Sequence, residues 1–285
     1  MKEGIDLWVS ENFNDVYRMN YKVKETLYSK ESDFQKIDVV ATEHLGKVLF
    51  NDGLLMTSER DEFVYHEMIT HVPMSSHPNP KRVLIIGGGD GGTAREVLKY
   101  ESVEKVVMVE IDPCVIEACK EHIKVTSCEL DNPKLELIID DGLKYVKSTT
   151  EKFDVVLVDS TDPIGPAAPL FDIAFYSDIY SCLTEKGIVV SQCENPFLAI
   201  EMQKKLLGIK AELFDKVAVY NYSNITYPGG LWSFSFASKT QDPILDAKPL
   251  PENISKDLKY YNQQVHKACF ALPQFQKNEV KEHLK

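Results

Sequence analysis

Asp159 and Asp162 stand three residues apart in LVDSTDPIGPAAPLF, the first closing an apolar run and the second in a loop stiffened by Pro163, Pro166 and Pro169. Two carboxylates this close repel each other unless a cation lies between them, and an alkyl diamine is such a cation. A diamine that is to act as a nucleophile must first lose a proton, because a free alkyl amine is almost wholly protonated near neutral pH. Asp159, nearer the apolar run, is the candidate to receive or steer that proton, and Asp162 the candidate to hold the diamine. The plainer alternative is that DSTDP forms only an Asx-turn and a cap.

A further acidic residue sits inside a glycine-rich turn. VLIIGGGDGGTAREVLKY reads as strand, turn and helix, with Gly87, Gly89 and Gly92 in the G-x-G-x-x-G spacing and Glu110 closing the next apolar run. A carboxylate at Glu110 can accept hydrogen bonds from both hydroxyls of a ribose. Asp90 would repel a pyrophosphate docked on the N–H groups of the helix start, which disfavours NAD. S-adenosylmethionine carries no phosphate, yet its amino-acid tail ends in a carboxylate that Asp90 would also repel. Decarboxylated S-adenosylmethionine ends in a bare aminopropyl ammonium, a suitable partner for Asp90. Asp90 can also cap the helix, and that role does not exclude the other. Asp141, in IIDDGLKY, keeps two open readings: an acceptor for the adenine amino group or, with Asp140, a cap on a short helix.

A doubly wound sheet would bring these residues together. Short apolar runs at Val83–Ile86, Val106–Val109, Leu135–Ile139, Val155–Val158 and Ile188–Val190 alternate with helical patterns, as parallel strands buried on both faces do. Asp112-Pro113 and Asn195-Pro196 each predict a helix start with a capping residue and proline in the first turn. Asp159 then falls at the C-terminal end of the fourth strand, where open α/β sheets bind ligands. Phe214–Tyr222 and Leu231–Ala237, joined through YPGG, extend one edge, and DPILDAKPLP leads to a terminal helical segment, SKDLKYYNQQVHKACF. From Trp8 to Ser58 polar and apolar residues alternate, with turns at Leu45-Gly46-Lys47 and Asn51-Asp52-Gly53. The expected fold is α/β: a small N-terminal antiparallel β domain over residues 1–62, then a doubly wound sheet over 63–285.

A net charge of -12 argues against nucleic acid, whose binding needs clustered Lys and Arg. No stretch approaches the roughly 18 apolar residues of a membrane span, and MKEGIDLWVSENFNDV lacks an apolar export segment. Six cysteines without C-x-x-C spacing fit a reducing, cytoplasmic setting rather than a disulfide framework or zinc site. Cys114 and Cys119 read as thiols packing helix to sheet. HEMITH, from His66 to His71, resembles H-E-x-x-H only superficially, since helical residues five apart do not face one metal.

Taken together, GGGDGGTAREVLKY, VEID, DDG, DSTDPIGPA and ERDEFVYHEM resemble the polyamine aminopropyltransferases, in particular their spermidine-forming branch. The resemblance runs from the Trp8 region through KYYNQQVHKACFALPQF. It implies transfer of the aminopropyl group of decarboxylated S-adenosylmethionine to putrescine, giving spermidine and 5′-methylthioadenosine. It further implies that the doubly wound sheet is a Rossmann-like, methyltransferase-type catalytic domain, with no metal or prosthetic group, in a homodimer or homotetramer. By motif, Asp159 resembles the catalytic base, Asp162 a diamine contact, Asp90 the aminopropyl anchor and Glu110 the ribose acceptor. Gln35, Gly87, Asp141 and Gly142 fall on the nucleoside side; Tyr65, His66, Gln192 and Tyr227 fall on the putrescine side. Met56 departs from the glutamine that many members carry in LDGxxQ. An S-adenosylmethionine-dependent methyltransferase is the nearest rival, a dinucleotide oxidoreductase is a further one, and a non-catalytic nucleoside-binding module lies outside the enzymes. Asp90 and the Asp159/Asp162 pair argue against the methyltransferase; Asp159, Tyr65 and Gln192 argue against the inactive module.

Overall fold

The computed structural model describes residues 6–13, 16–163 and 165–285. Five strands, β1 (Leu7–Phe13), β2 (Tyr17–Glu31), β3 (Lys36–Thr42), β4 (Lys47–Asn51) and β5 (Leu54–Ser58), pair antiparallel in chain order. Between β4 and β5, Asp52 and Gly53 both have positive φ (49° and 80°), the backbone that a two-residue hairpin turn requires. The two-residue period of these strands divides their apolar residues between the faces. Ile37, Val39 and Leu49 pack on Val115, Ala118, Cys119 and Ile123, while Val40, Val48, Phe50 and Leu55 form a second cluster with Tyr21.

The next element, α1 (Glu62–Ser76), is buried along nearly its whole length and has no polar face. Its apolar residues enter the core, and several of its polar ones, Glu62, His66, Glu67 and His71 among them, are held by specific partners. The Glu67 carboxylate accepts from the N–H groups of Lys259, Tyr260 and Tyr261 at 2.8, 2.8 and 2.7 Å. This clasp ties the C-terminal segment to the helix that carries Tyr65 and His66.

The large sheet contains β6 (Arg82–Gly87), β7 (Lys105–Glu110), β8 (Leu135–Ile139), β9 (Phe153–Asp159), β10 (Leu183–Gln192), β11 (Lys216–Ser223) and β12 (Leu231–Ser238). Their spatial order is β11-β12-β10-β9-β6-β7-β8, with β12 antiparallel to both of its neighbours and the other pairs parallel. The helices are α2 (Gly92–Leu98), α3 (Pro113–His122), α4 (Lys124–Ser127), α5 (Gly142–Ser148), α6 (Ile173–Cys182), α7 (Ile200–Leu213), α8 (Glu252–Ser255), α9 (Gln263–Ala268) and α10 (Gln274–Val280). Successive residues of the central strands serve opposite cores. Val83, Ile85, Val155 and Leu157 meet α1 and α2, whereas Leu84, Ile86, Val156 and Val158 meet α5, α6 and α7. At about 1.5–3 kcal/mol per fully buried aliphatic side chain, such strands are held from both sides.

The chain leaves β6 through α2 on one face and β9 through α6 on the other, so a crevice opens where these neighbouring strands end. Gly87 pairs with Asp159 there.

Two sequence expectations need correction. Asn195 does not cap a helix: its Oδ1 accepts from the Phe197 N–H at 2.8 Å, its Nδ2 donates to the Pro228 carbonyl at 2.9 Å, and α7 begins only at Ile200. Between Ser255 and Phe270 the expected helical segment is helical beyond Ser255 only from Gln263 to Ala268, because Lys259–Tyr261 give their N–H groups to Glu67 instead of to a helix. No helix among the described residues is long and apolar enough to cross a membrane.

Replacing Glu67 with Ala leaves three inward N–H groups without an acceptor, and we expect the stability measured by urea unfolding to fall by about 3 kcal/mol. A change under about 0.5 kcal/mol would show that the clasp contributes little.

Candidate active site

The turn after β6 forms one wall of the crevice. Gly87, Gly88 and Gly91 have φ of 81°, 72° and 90°, and the Gly88 N–H donates to the Asp159 carbonyl at 2.8 Å. A Cβ on Gly87 would lie 2.2 Å from that carbonyl oxygen, so glycine is needed to let the turn close against the end of β9. Asp159 is therefore fixed from both sides of the switch point: its backbone by the turn, and its Oδ2 by the Thr93 hydroxyl at 2.6 Å. The Tyr65 hydroxyl faces this carboxyl as well. Burial raises the Asp159 pKa and Asp90 adds to the rise, while the His66 charge and the Thr93 and Tyr65 hydroxyls oppose it.

Asp90 faces the same space. Its Oδ1 accepts from the Gly92 N–H at 2.8 Å, which brings the start of α2 into order, and its Oδ2 lies 3.3 Å from His66 Nε2. Burial works against ionisation of Asp90, but His66, the Gly92 N–H and Arg95 outweigh it and hold the carboxyl below its ordinary value.

At the other end, Gln192 Nε2 donates to Asp162 Oδ1 at 2.9 Å and to Glu194 Oε1 at 3.1 Å. Burial and the nearby Glu11 push Asp162 up to about 6, with the Gln192 amide opposing. Burial and Asp162 push Glu194 up to about 8. Tyr65 meets Tyr227 edge to face at 5.9 Å between ring centres, an apolar wall with hydroxyls at its rim. The Tyr227 hydroxyl donates to the Met56 carbonyl at 2.8 Å. Asp61 sets this loop in place by accepting from the Ile225 and Thr226 N–H groups at 2.8 and 3.0 Å.

The third region centres on Glu110. Its Oε1 accepts from the Asp112 N–H at 2.9 Å, and burial pushes its carboxyl up to about 7. Asp112 caps α3 through the Cys114 N–H at 2.9 Å and accepts from Gln35 Nε2 at 3.0 Å, which links the N-terminal sheet to the end of β7. Asp141 caps α5 through the Leu143 N–H at 2.9 Å and also borders the cavity.

Asp159, Gln35, Gly87, Asp90, Glu110, Asp141, Gly142, Tyr65, His66, Asp162 and Tyr227 all line one cavity of about 290 Å³. Gln192 does not line it but stands behind Asp162 through the hydrogen bond above. Ala167 and Leu170, from the proline-spaced loop, border it too, as does Met56. Sequence reasoning passed over Glu11, Thr93, Glu194 and Trp232. Glu11 is buried on β1, accepts from the Leu55 N–H at 3.0 Å and the Tyr21 hydroxyl at 2.9 Å, and borders the cavity. The signal for Thr93 was its place in the first turn after the glycines. Glu11, an acid in an edge strand, offered none. Among the described lining residues there are acids at 11, 52, 90, 110, 141, 159 and 162, and neither lysine nor arginine. The two histidines of HEMITH part company, with His71 bonded to Tyr100 and Glu96 and His66 to Glu62 and Asp90. Cys119 is fully buried between α3 and the N-terminal sheet, with half-buried Cys114 beside it.

A family model described as the spermine/spermidine synthase domain matches residues 62–249, and one described as the spermidine synthase tetramerisation domain matches residues 7–59. A polyamine aminopropyltransferase of Clostridium kluyveri is 49% identical over 271 residues, covering 95% of this chain and 98% of the relative. One from Methanocaldococcus jannaschii is 46% identical over 283 residues, covering 98% and 96%. The crystal structure of a spermidine synthase in complex with the transition state analogue AdoDATO superposes with a TM-score of 0.94 at 46% identity, covering 97% of this chain and 95% of that one. The spermidine synthase from Thermotoga maritima gives 0.92 at 46% identity, covering 97% and 94%. With both sheets and the crevice residues inside these matches, the chain belongs to the spermine/spermidine synthase family and is an aminopropyltransferase.

Proposed function

We propose that this enzyme transfers the aminopropyl group of decarboxylated S-adenosylmethionine to putrescine, giving spermidine and 5′-methylthioadenosine, with Asp159 as the base. The observation that carries the reading is the cavity wall, rich in carboxylates and without lysine or arginine among its described residues. Such a wall suits a sulfonium donor whose tail ends in an ammonium, and a dicationic acceptor. Glu110, Asp141, Gly142, Gln35 and Gly87 would hold the nucleoside. Asp90 would face the donor's ammonium, where the carboxylate of S-adenosylmethionine itself would be repelled.

In the reaction, the acceptor nitrogen's lone pair attacks the aminopropyl carbon bonded to sulfur. The new C–N bond forms as the C–S bond breaks, and its electron pair returns to sulfur to give the neutral thioether. The proton shed by the nitrogen passes to Asp159, which burial has already made more basic than an exposed aspartate. Asp162, oriented by Gln192, would hold the second ammonium, and Tyr65 and Tyr227 would line the methylene chain. The match of residues 7–59 to a tetramerisation domain supports assembly of a homo-oligomer through that sheet, and free cysteines fit an enzyme of the reducing cytoplasm.

Mass spectrometry of products from decarboxylated S-adenosylmethionine and a panel of amines tests the substrate assignment: spermidine from putrescine should dominate, and a predominance of any other product would overturn it. Asp159→Asn is expected to lower turnover by about 10²- to 10⁴-fold with little change in donor binding; near-full activity would remove it as the base. The pKa of Asp162 sets a pH dependence for the acceptor. Its negative charge is present above about 6 and is lost below, so the KM for putrescine should rise as pH falls through about 6. A KM that stays constant from about pH 5 to 7 would contradict the role given to Asp162.

A further inference from the structure

We propose that Glu62 and Arg95 are positioning residues of this reaction: their ion pair holds His66 as an imidazolium against Asp90, and that positive charge keeps Asp159 ionised and ready to take the amine proton. The proposal rests on the reading of Asp159 as the base.

The surroundings of both ring nitrogens point to the charged ring. His66 Nδ1 lies 2.7 Å from Glu62 Oε2, and Nε2 lies 3.3 Å from Asp90 Oδ2. An ionised carboxylate only accepts hydrogen bonds, so a ring facing carboxylate oxygens with both nitrogens is satisfied only when both carry protons. Neutral imidazole would set one nitrogen lone pair against an oxygen in a place closed to water, since the His66 and Glu62 side chains are 4% and 2% exposed. Arg95 holds the far side of Glu62 through a two-pronged contact, Nη1 to Oε1 at 3.0 Å and Nη2 to Oε2 at 2.9 Å. The result is an alternating chain: Arg95 positive, Glu62 negative, His66 positive, Asp90 negative. It begins on α2, crosses α1 and ends at the cavity wall. The ring has no room to turn, for a Cβ on Gly92 would lie 2.2 Å from His66 Cε1.

The carboxylates around the ring all favour the charged state, and the one cation near it, Arg95, is taken up by the far side of Glu62. His66 faces Glu62 and Tyr65 from its own helix, Asp90 from the glycine turn, Arg95 behind Glu62, and Asp159 from the end of β9. Burial opposes its charge, but Asp90 and Glu62 outweigh burial and push His66 up to about 10. Asp159 in turn faces Asp90, Glu110, Thr93, Tyr65, Tyr227 and His66, and His66 is the one cation among them. Without that charge, burial and Asp90 would raise the Asp159 carboxyl further, and a carboxyl still protonated at the working pH cannot accept a proton. Removing the Glu62 charge should thus neutralise His66 near pH 7, raise Asp159, and move the acidic limb of kcat/KM upward.

Two readouts on the full-length enzyme test this, with histidine ring nitrogens labelled with ¹⁵N and the His66 signal assigned by its loss in His66→Asn. In the wild type both His66 nitrogens should remain protonated to about pH 9, whereas in Glu62→Gln the ring should become neutral roughly two pH units lower. The acidic limb of kcat/KM for Glu62→Gln should move up by about one pH unit, so that the activity loss approaches about tenfold on the acidic side of both limbs and largely disappears by about pH 9. Glu62→Asp, which keeps the charge, should leave the limb within about 0.3 units of wild type. A His66 ring already neutral below about pH 8 in the wild type would overturn the proposal, as would a loss in Glu62→Gln that is uniform across pH. The wild-type spectrum decides even where Glu62→Gln fails to fold. Should Asp159→Asn retain activity, the base assignment falls, while the spectrum still reports separately on the charge of His66.

Discussion

Carboxyl groups withdrawn from water resist ionisation, and the site depends on how that resistance is relieved. Asp162 is pushed up to about 6, Glu110 to about 7 and Glu194 to about 8, each with burial as the first cause. The protein supplies one cation of its own at the wall, His66, and spends it on Asp90 and Asp159. Among the described residues that border the cavity, no lysine or arginine faces the rest of the negative charge. A ligand that brings positive charge to those positions relieves the strain on all of them together, whereas an anionic ligand increases it. Selection by charge comes before selection by shape, because a missing methylene alters binding far less than an unpaired buried ion.

This constraint explains why the site needs so much of the chain. Acids placed on a single loop would stay in water with ordinary pKa values. Here they arrive from β1, the glycine turn, the ends of β7 and β9, and the start of α5, and the N-terminal sheet closes over the crevice with Phe34, Leu49 and Leu55. The helix α1 joins these parts: Asp61 just before it fixes the Tyr227 loop, Glu62 and His66 carry the charge chain, and Glu67 clasps the C-terminal segment. Its burial on every side follows from those several attachments.

The sequence was informative where chemistry is local. Parallel strands buried on both faces appear as unbroken apolar runs, and a glycine turn demanding positive φ leaves its residues in plain order, so β6 to β10, the Asp90 turn and the strand-end position of Asp159 were all legible. Partnerships across the chain were not. Glu11 meets the cavity only because β1 folds beside β5 and brings it to Leu55. Glu62 and Arg95 are 33 residues apart, and neither carries a motif that announces the other. Asn195-Pro196 and the segment after Ser255 were misread for the same reason: their polar groups found partners at Pro228 and Glu67 that outcompeted local helix. Asp141 shows a case where the local reading held: it caps α5 with one carboxylate oxygen and still borders the cavity.

The central claim is that this pocket is matched to a donor tail without an acid group. Calorimetric titration of the wild-type enzyme with S-adenosylmethionine and with its decarboxylated form tests it most directly. Affinity higher by at least about tenfold for the decarboxylated compound is the expected result; equal affinity for the two would contradict the account.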